Sequence, residues 1–117
     1  MMTYLEAEAT FAKARNKAAG KFLQGNTRLI HLENGDYAVL FHQTNVVTIH
    51  ADGSYTLRND GHWTKTTKER INQYSPVHIW QKKGDWFIWF SEKVSIPFYD
   101  GIRIIPGEEH WEVLEVK

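Results

Sequence analysis

The chain has 117 residues, no cysteine, and 14 basic against 14 acidic side chains. That length suits one domain with a real core. The missing thiols exclude disulfides, thiol catalysis and thiolate metal sites, and the zero formal charge argues against wholesale electrostatic capture of duplex nucleic acid.

The chain opens on a capping box, Thr3 with Glu6. Tyr4, Ala7, Phe11, Ala14 and Ala18, widened by Leu5, recur at helical spacing, and Gly20 suits a C-cap. An amphipathic helix is expected over 4–19. Its small residues permit close packing on the chain's own sheet or, alternatively, on a second copy in a homo-oligomer. Residues 1–20 lack the apolar core of a signal peptide, and no run nears the roughly 20 apolar residues of a membrane helix. No membrane partner is expected.

From Thr27 to Arg58 the pattern turns to strands. Asn34-Gly35 and Asp52-Gly53 are hairpin signals, with a further reversal expected at Thr44-Asn45. The result is a four-stranded antiparallel meander near 27–32, 37–43, 46–51 and 54–59. Two-residue turns would set Ile30, Leu32, Tyr37, Val39, Phe41, His50, Tyr55 and Leu57 on one face. The other would carry Thr27, Leu29, His31, Ala38, Leu40, His42, Val47, Ile49, Thr56 and Arg58, with Thr27, His42 and Arg58 meeting at a polar end. Both faces are apolar enough to expect cover.

Residues 61–72 are the one dense polar, basic and hydroxylated run. Thr66 with Glu69 fits a second capping box, and the helix should end before Pro76. Thr67, Arg70, Ile71 and Tyr74 would share a face. Thr64, Lys65, Thr67, Lys68 and Arg70 then surround a helix start able to receive an anion, with Arg58 and His42 nearby. The plainer alternative is a capped connecting helix with a solvated basic face.

Hairpins are expected around Lys83-Gly84-Asp85 (77–81 with 86–90) and around Asp100-Gly101 (94–98 with 102–105). Residues 107–117 read as an edge strand or tail. The fold class is α+β: an N-terminal amphipathic helix, the meander, a short central helix and C-terminal β-hairpins. As one domain over 1–117, it divides into a helical segment 1–25, a sheet-rich core 26–106 and the final segment.

Six histidines raise the question of a metal, but none forms an HxH or a helical i, i+4 pair. No metal or other cofactor is expected. Two His-x-Thr triplets, His42-Gln43-Thr44 and His62-Trp63-Thr64, resemble the paired elements of the 2H phosphoesterases. That resemblance implies one histidine as base, the other as acid, and hydroxyls on the phosphate. Those enzymes use two similar lobes, whereas this chain offers one small lobe. The abundant aromatics include Trp63, Trp80 and Trp86, an expected aromatic surface near Lys82 and Lys83 that could stack single-stranded nucleic acid. The alternative is that these rings fill the core.

A broader resemblance runs from Asn26 to Asn72. It is carried by Asn26-Thr27-Arg28-Leu29, by Tyr37-Ala38-Val39-Leu40-Phe41-His42-Gln43-Thr44-Asn45-Val46-Val47-Thr48, by Asp52-Gly53, and by Trp63-Thr64-Lys65-Thr66-Thr67-Lys68-Glu69-Arg70-Ile71-Asn72. This resembles short proteins of phages, prophages and related bacterial genomes, a group without an assigned activity. It implies a mobile-element origin; the expected location is the host cytoplasm. Those proteins tend to carry Gly-Trp where this chain has His62-Trp63, which argues against His62 as a catalytic residue. The expected function is a non-enzymatic binding protein for nucleic acid or a nucleoprotein. An inhibitor of a host protein, such as a defence component, comes second and a small phosphoesterase third.

Overall fold

The computed structural model describes residues 1–114. Among them the order is α1 (Tyr4–Ala12), β1 (Lys21–Gln24), β2 (Thr27–His31), β3 (Tyr37–Phe41), β4 (Thr44–Ile49), β5 (Tyr55–Leu57), α2 (Lys65–Tyr74), β6 (His78–Lys82), β7 (Asp85–Ser91), β8 (Val94–Pro97), β9 (Ile102–Pro106) and β10 (Trp111–Val113). This is an α+β architecture with antiparallel sheets. One sheet has seven strands in the order β1-β2-β3-β4-β5-β9-β10, and β6-β7-β8 form a second.

Helix α1 begins at the expected Thr3–Glu6 capping box but stops at Ala12. The Asn16 carboxamide accepts the N–H groups of Ala18 and Ala19, offering the backbone an alternative to helix. The Lys17 ammonium closes the carbonyls of Phe11 and Ala12. The segment 1–25 is therefore only partly helical, since it also holds the unforeseen strand β1. Gly20 has φ +83, and an added Cβ would lie 2.6 Å from the Leu29 carbonyl oxygen. Gly20→Ala should thus destabilise the fold by about 1–3 kcal/mol, read by urea unfolding. A change within experimental error would contradict this packing.

The β2–β3 and β4–β5 connections are built alike. Gly35 donates to the Leu32 carbonyl and Leu32 to the Asp36 carbonyl, while Gly53 donates to His50 and His50 to Ser54. Gly35 and Gly53 have φ +94 and +91. Each is a turn closed by a left-handed glycine bulge, not the expected two-residue turn. The β3–β4 reversal also moves, to His42-Gln43, with Phe41 opposite Thr44 and a bulge before Val47. These changes alter parity, so the two expected faces collapse into one. Leu29, Val39, Val47 and Leu57 stand opposite one another across the sheet, as do Tyr37, Ile49, Tyr55 and Ile104. All are buried in one core with Phe11 of α1 and Ile71 and Tyr74 of α2. The alternate positions Arg28, Ile30, Leu40 and Thr56 are exposed or half-buried, and their neighbours Ala38 and Thr48 are buried, but none of the six belongs to that core, which lies on one face.

The small sheet turns at Lys83-Gly84, both with positive φ, between the paired Lys82 and Asp85. Ile79, Trp86 and Ile88 point inward to the shared core. The expected hairpin around Asp100-Gly101 does not form. β8 pairs with β7, whereas β9 pairs with β5 and β10. The turn instead carries the chain from one sheet to the other. There the Asp100 carboxylate accepts the N–H groups of Asn59 and Asp60 at 2.9 and 3.2 Å, and the Gly101 N–H donates to the Leu57 carbonyl. Of the two expectations for the final segment, edge strand or tail, residues 111–113 form the edge strand β10; residues 115–117 lie outside the described residues.

A polar tie joins the two bulged loops. Asp36 Oδ2 lies 2.6 Å from His50 Nδ1, and His50 Nε2 lies 2.7 Å from Thr56 Oγ1. The Ala51 N–H also donates to Asp36. A carboxylate only accepts, so the Asp36 pair fixes the proton of a neutral ring on Nδ1 and leaves Nε2 to accept from Thr56. This order resembles a nucleophile–base relay. Here it lies beside β5, an interior strand whose backbone is engaged by β4 and β9. The arrangement acts as a structural tie.

Candidate functional site

Helix α2 brings the two His-x-Thr triplets to one place. Thr64, not Thr66, is its N-cap: the Thr64 hydroxyl accepts the Thr67 N–H, and the two hydroxyls lie 2.9 Å apart. The helix ends at Tyr74, before Pro76 as expected. Thr67, Ile71 and Tyr74 face the core and set the helix N-terminus beside the β3–β4 turn. In that turn His42 is held in the left-handed region at φ +55, with its N–H donating to the Asn26 carbonyl at 3.0 Å. A non-glycine residue in this conformation is uncommon.

Between the two elements lies a cleft of about 780 Å³. Phe41, His42, Gln43 and Thr44 form one side, and His62, Thr64, Thr66 and Thr67 the other. None of these residues is acidic. Imidazole N–H groups and hydroxyls can all donate to an oxyanion. The first-turn N–H groups of a helix lack intrahelical acceptors and favour negative charge. Behind the cleft, Arg70 lies with its guanidinium 5.5 Å from the Phe41 ring centroid and donates from Nε to the Thr27 hydroxyl at 3.0 Å. The cleft is thus suited to a phosphate or carboxylate group and carries no fixed negative charge that would repel one.

The other expected site residues are distributed differently. His42 and Thr67 line the cleft, although Thr67 is only 2% exposed. Lys65 projects into solvent near Glu69, and Lys68 donates to Gln81 at 2.9 Å. With Arg70 turned back to Thr27, the three cations do not form one stripe. Arg58 packs over Gly101, outside the cleft lining. The expected meeting of Thr27, His42 and Arg58 therefore reduces to Thr27 and His42, which lie near each other where β2 begins and β3 ends.

The aromatic surface also needs correction. Trp86 is 2% exposed and belongs to the core, because its strand parity matches that of Ile88 and Phe90. Trp80 is half-buried, stacks on Phe87 and donates to Ser95 at 3.0 Å. Trp63 remains an exposed ring. Phe41, Gln43 and Thr66 are cleft residues that the sequence did not single out. The misplaced turn hid Gln43 at a loop tip, and Thr66 was assigned to the cap. Among the described residues, no group of His, Cys, Asp or Glu is arranged to hold a metal ion, and no helix is long and apolar enough to cross a membrane.

Neither the curated proteins nor the solved structures contain a match to this chain. A family model does match. It covers residues 2–105, which include both triplets, the cleft, the small sheet and all of the large sheet but the end of β9 and β10, and so the chain belongs to the Kyanoviridae Gp96 protein family, a phage protein family.

Proposed function

We propose that the chain is a small binding protein for a phosphate-bearing ligand of the nucleic-acid class, held in the cleft between the β3–β4 turn and the start of α2. The observation that carries this reading is the cleft itself, with two imidazoles and four threonines on its lining and no carboxylate. His42, Thr44, His62, Thr64 and Thr66 are the donors. Arg70 supplies positive charge from behind Phe41, and Lys65 and Lys68 add a screened, outer attraction. The test is binding of a labelled mixed-sequence single strand and duplex at two salt concentrations. The expected result is salt-sensitive binding that His42→Ala/His62→Ala weakens roughly tenfold or more, since each charge-assisted donor contributes about 1.5–3 kcal/mol. Lys65→Ala/Lys68→Ala should lessen the salt dependence while leaving most of the affinity. Unchanged binding in the histidine variant would overturn the reading.

A second reading, turnover of a phosphodiester, is favoured by the two histidines lining one cleft. It requires the attacking oxygen to lose its proton to one imidazole while the other protonates the leaving oxygen. Release of nitrophenol from bis(p-nitrophenyl) phosphate, abolished by either histidine substitution, would support it. No release above the buffer rate would exclude it.

A further inference from the structure

We infer that the ligand is single-stranded nucleic acid, with one unpaired base stacked on Trp63 while the adjoining phosphate occupies the cleft; this rests on the reading above. Trp63 stands between His62 and Thr64, which both line the cleft. Adjacent Cα atoms are only about 3.8 Å apart, so the Trp63 backbone directly joins two of the phosphate donors, while its ring lies outside the cleft lining. The ring is 51% exposed, unlike Trp86 and Phe98 beside it, which are buried.

Those two rings brace it. The Trp63 and Trp86 centroids are 5.1 Å apart at an interplanar angle of 75°, and the Trp63 and Phe98 centroids are 6.0 Å apart at 87°. Such edge-to-face contacts restrain the indole before any ligand arrives, so little ordering remains for binding to impose. Trp63 also borders a second hollow of about 230 Å³, lined by Asp85, Trp86, Phe87, Pro97 and Phe98. A single residue therefore separates a cleft rich in anion donors from an aromatic surface. A phosphate joined to a flat ring has that same alternation. In a duplex the base faces are covered by their neighbours, and only an unstacked base can lie against Trp63.

The test titrates the full chain with four probes: an oligothymidylate, an abasic deoxyribose-phosphate strand of equal length, a duplex and inorganic phosphate. Wild type, Trp63→Ala and Trp63→Phe are compared, with near-ultraviolet circular dichroism as a fold control. The expected result is that oligothymidylate binds tighter than the duplex and the abasic strand. Trp63→Ala should weaken oligothymidylate roughly tenfold or more, with the abasic strand and phosphate unaffected, and Trp63→Phe should retain most of the affinity. Equal oligothymidylate binding by wild type and Trp63→Ala would overturn the inference and leave the cleft reading standing. Binding of none of the four probes would overturn both.

Discussion

Ile71→Ala should lower the unfolding free energy by about 2–5 kcal/mol, as expected when a buried large aliphatic side chain is cut to a methyl group. Ile71 is 0% exposed. It lies on the helix that touches β3 and β4 of the large sheet and β6 of the small one. Within one core it accompanies Val46 and Val47 from the first sheet and Ile79 and Ile88 from the second. The cavity left by truncation would open where the helix keys the sheets together, so relaxation has little room to reduce the penalty. The same helix carries Thr64, Thr66 and Thr67 at its start. A loosened α2 should therefore weaken oligonucleotide binding even under conditions where the variant is folded. Urea unfolding checks the first effect and a binding titration the second. A loss below about 1 kcal/mol would contradict the keystone role of this residue.

Asp36→Ala should destabilise the chain by about 1–3 kcal/mol, because it strips acceptors from the His50 ring and the Ala51 N–H at a partly buried site. The effect carries a pH signature. Burial pushes the Asp36 carboxyl up, but hydrogen bonds from His50, Ala51 and Asn34, with the charge of His50, outweigh it and hold the group below the ordinary carboxylate range. A carboxyl depressed in the folded state contributes stability above its unfolded pKa, about 3.9, and that contribution is lost as pH falls through the lower folded value. Asp52 shifts in the same direction, held by Ser54 with a smaller part from Arg103, so the comparison must be a difference between wild type and variant. The gap in unfolding free energy should be widest near neutrality and narrow below about pH 4. A gap that stays constant into acid would show that the tie does not act through the carboxylate.

These elements differ in how well they could be read from the chain. The Thr3–Glu6 box, the core stripe of Ala7 and Phe11, and the stop before Pro76 are local, and local rules located them. The end of α1 was not legible, because alanines after Ala12 satisfy helical periodicity while the competing bonds come from Asn16 and Lys17. The strand order of the meander followed from Asn34-Gly35 and Asp52-Gly53. Its faces did not, because a left-handed glycine at the end of a bulged loop carries the same dipeptide as a tight turn and differs by one residue of register. The partner of β9 depended on long-range pairing that no adjacent residue encodes. The cleft was partly legible: His42, Thr44, His62 and Thr64 stood out as repeated triplets, and the fold brings them to one lining. The basic stretch looked like a single patch only because Lys65, Lys68 and Arg70 are close in sequence, whereas their side chains turn to three different neighbours.

The most direct test of the proposed binding site is nuclear magnetic resonance of the labelled chain during titration with oligothymidylate, following backbone amides and imidazole signals together. Saturable shifts are expected at His42, Thr44, His62 and residues 64–67, with smaller changes at Arg70, and the same residues should respond to inorganic phosphate at higher concentration. Shifts confined to Lys82, Lys83 and the outer sheet face, or no saturable shift at the two triplets, would contradict the proposed site.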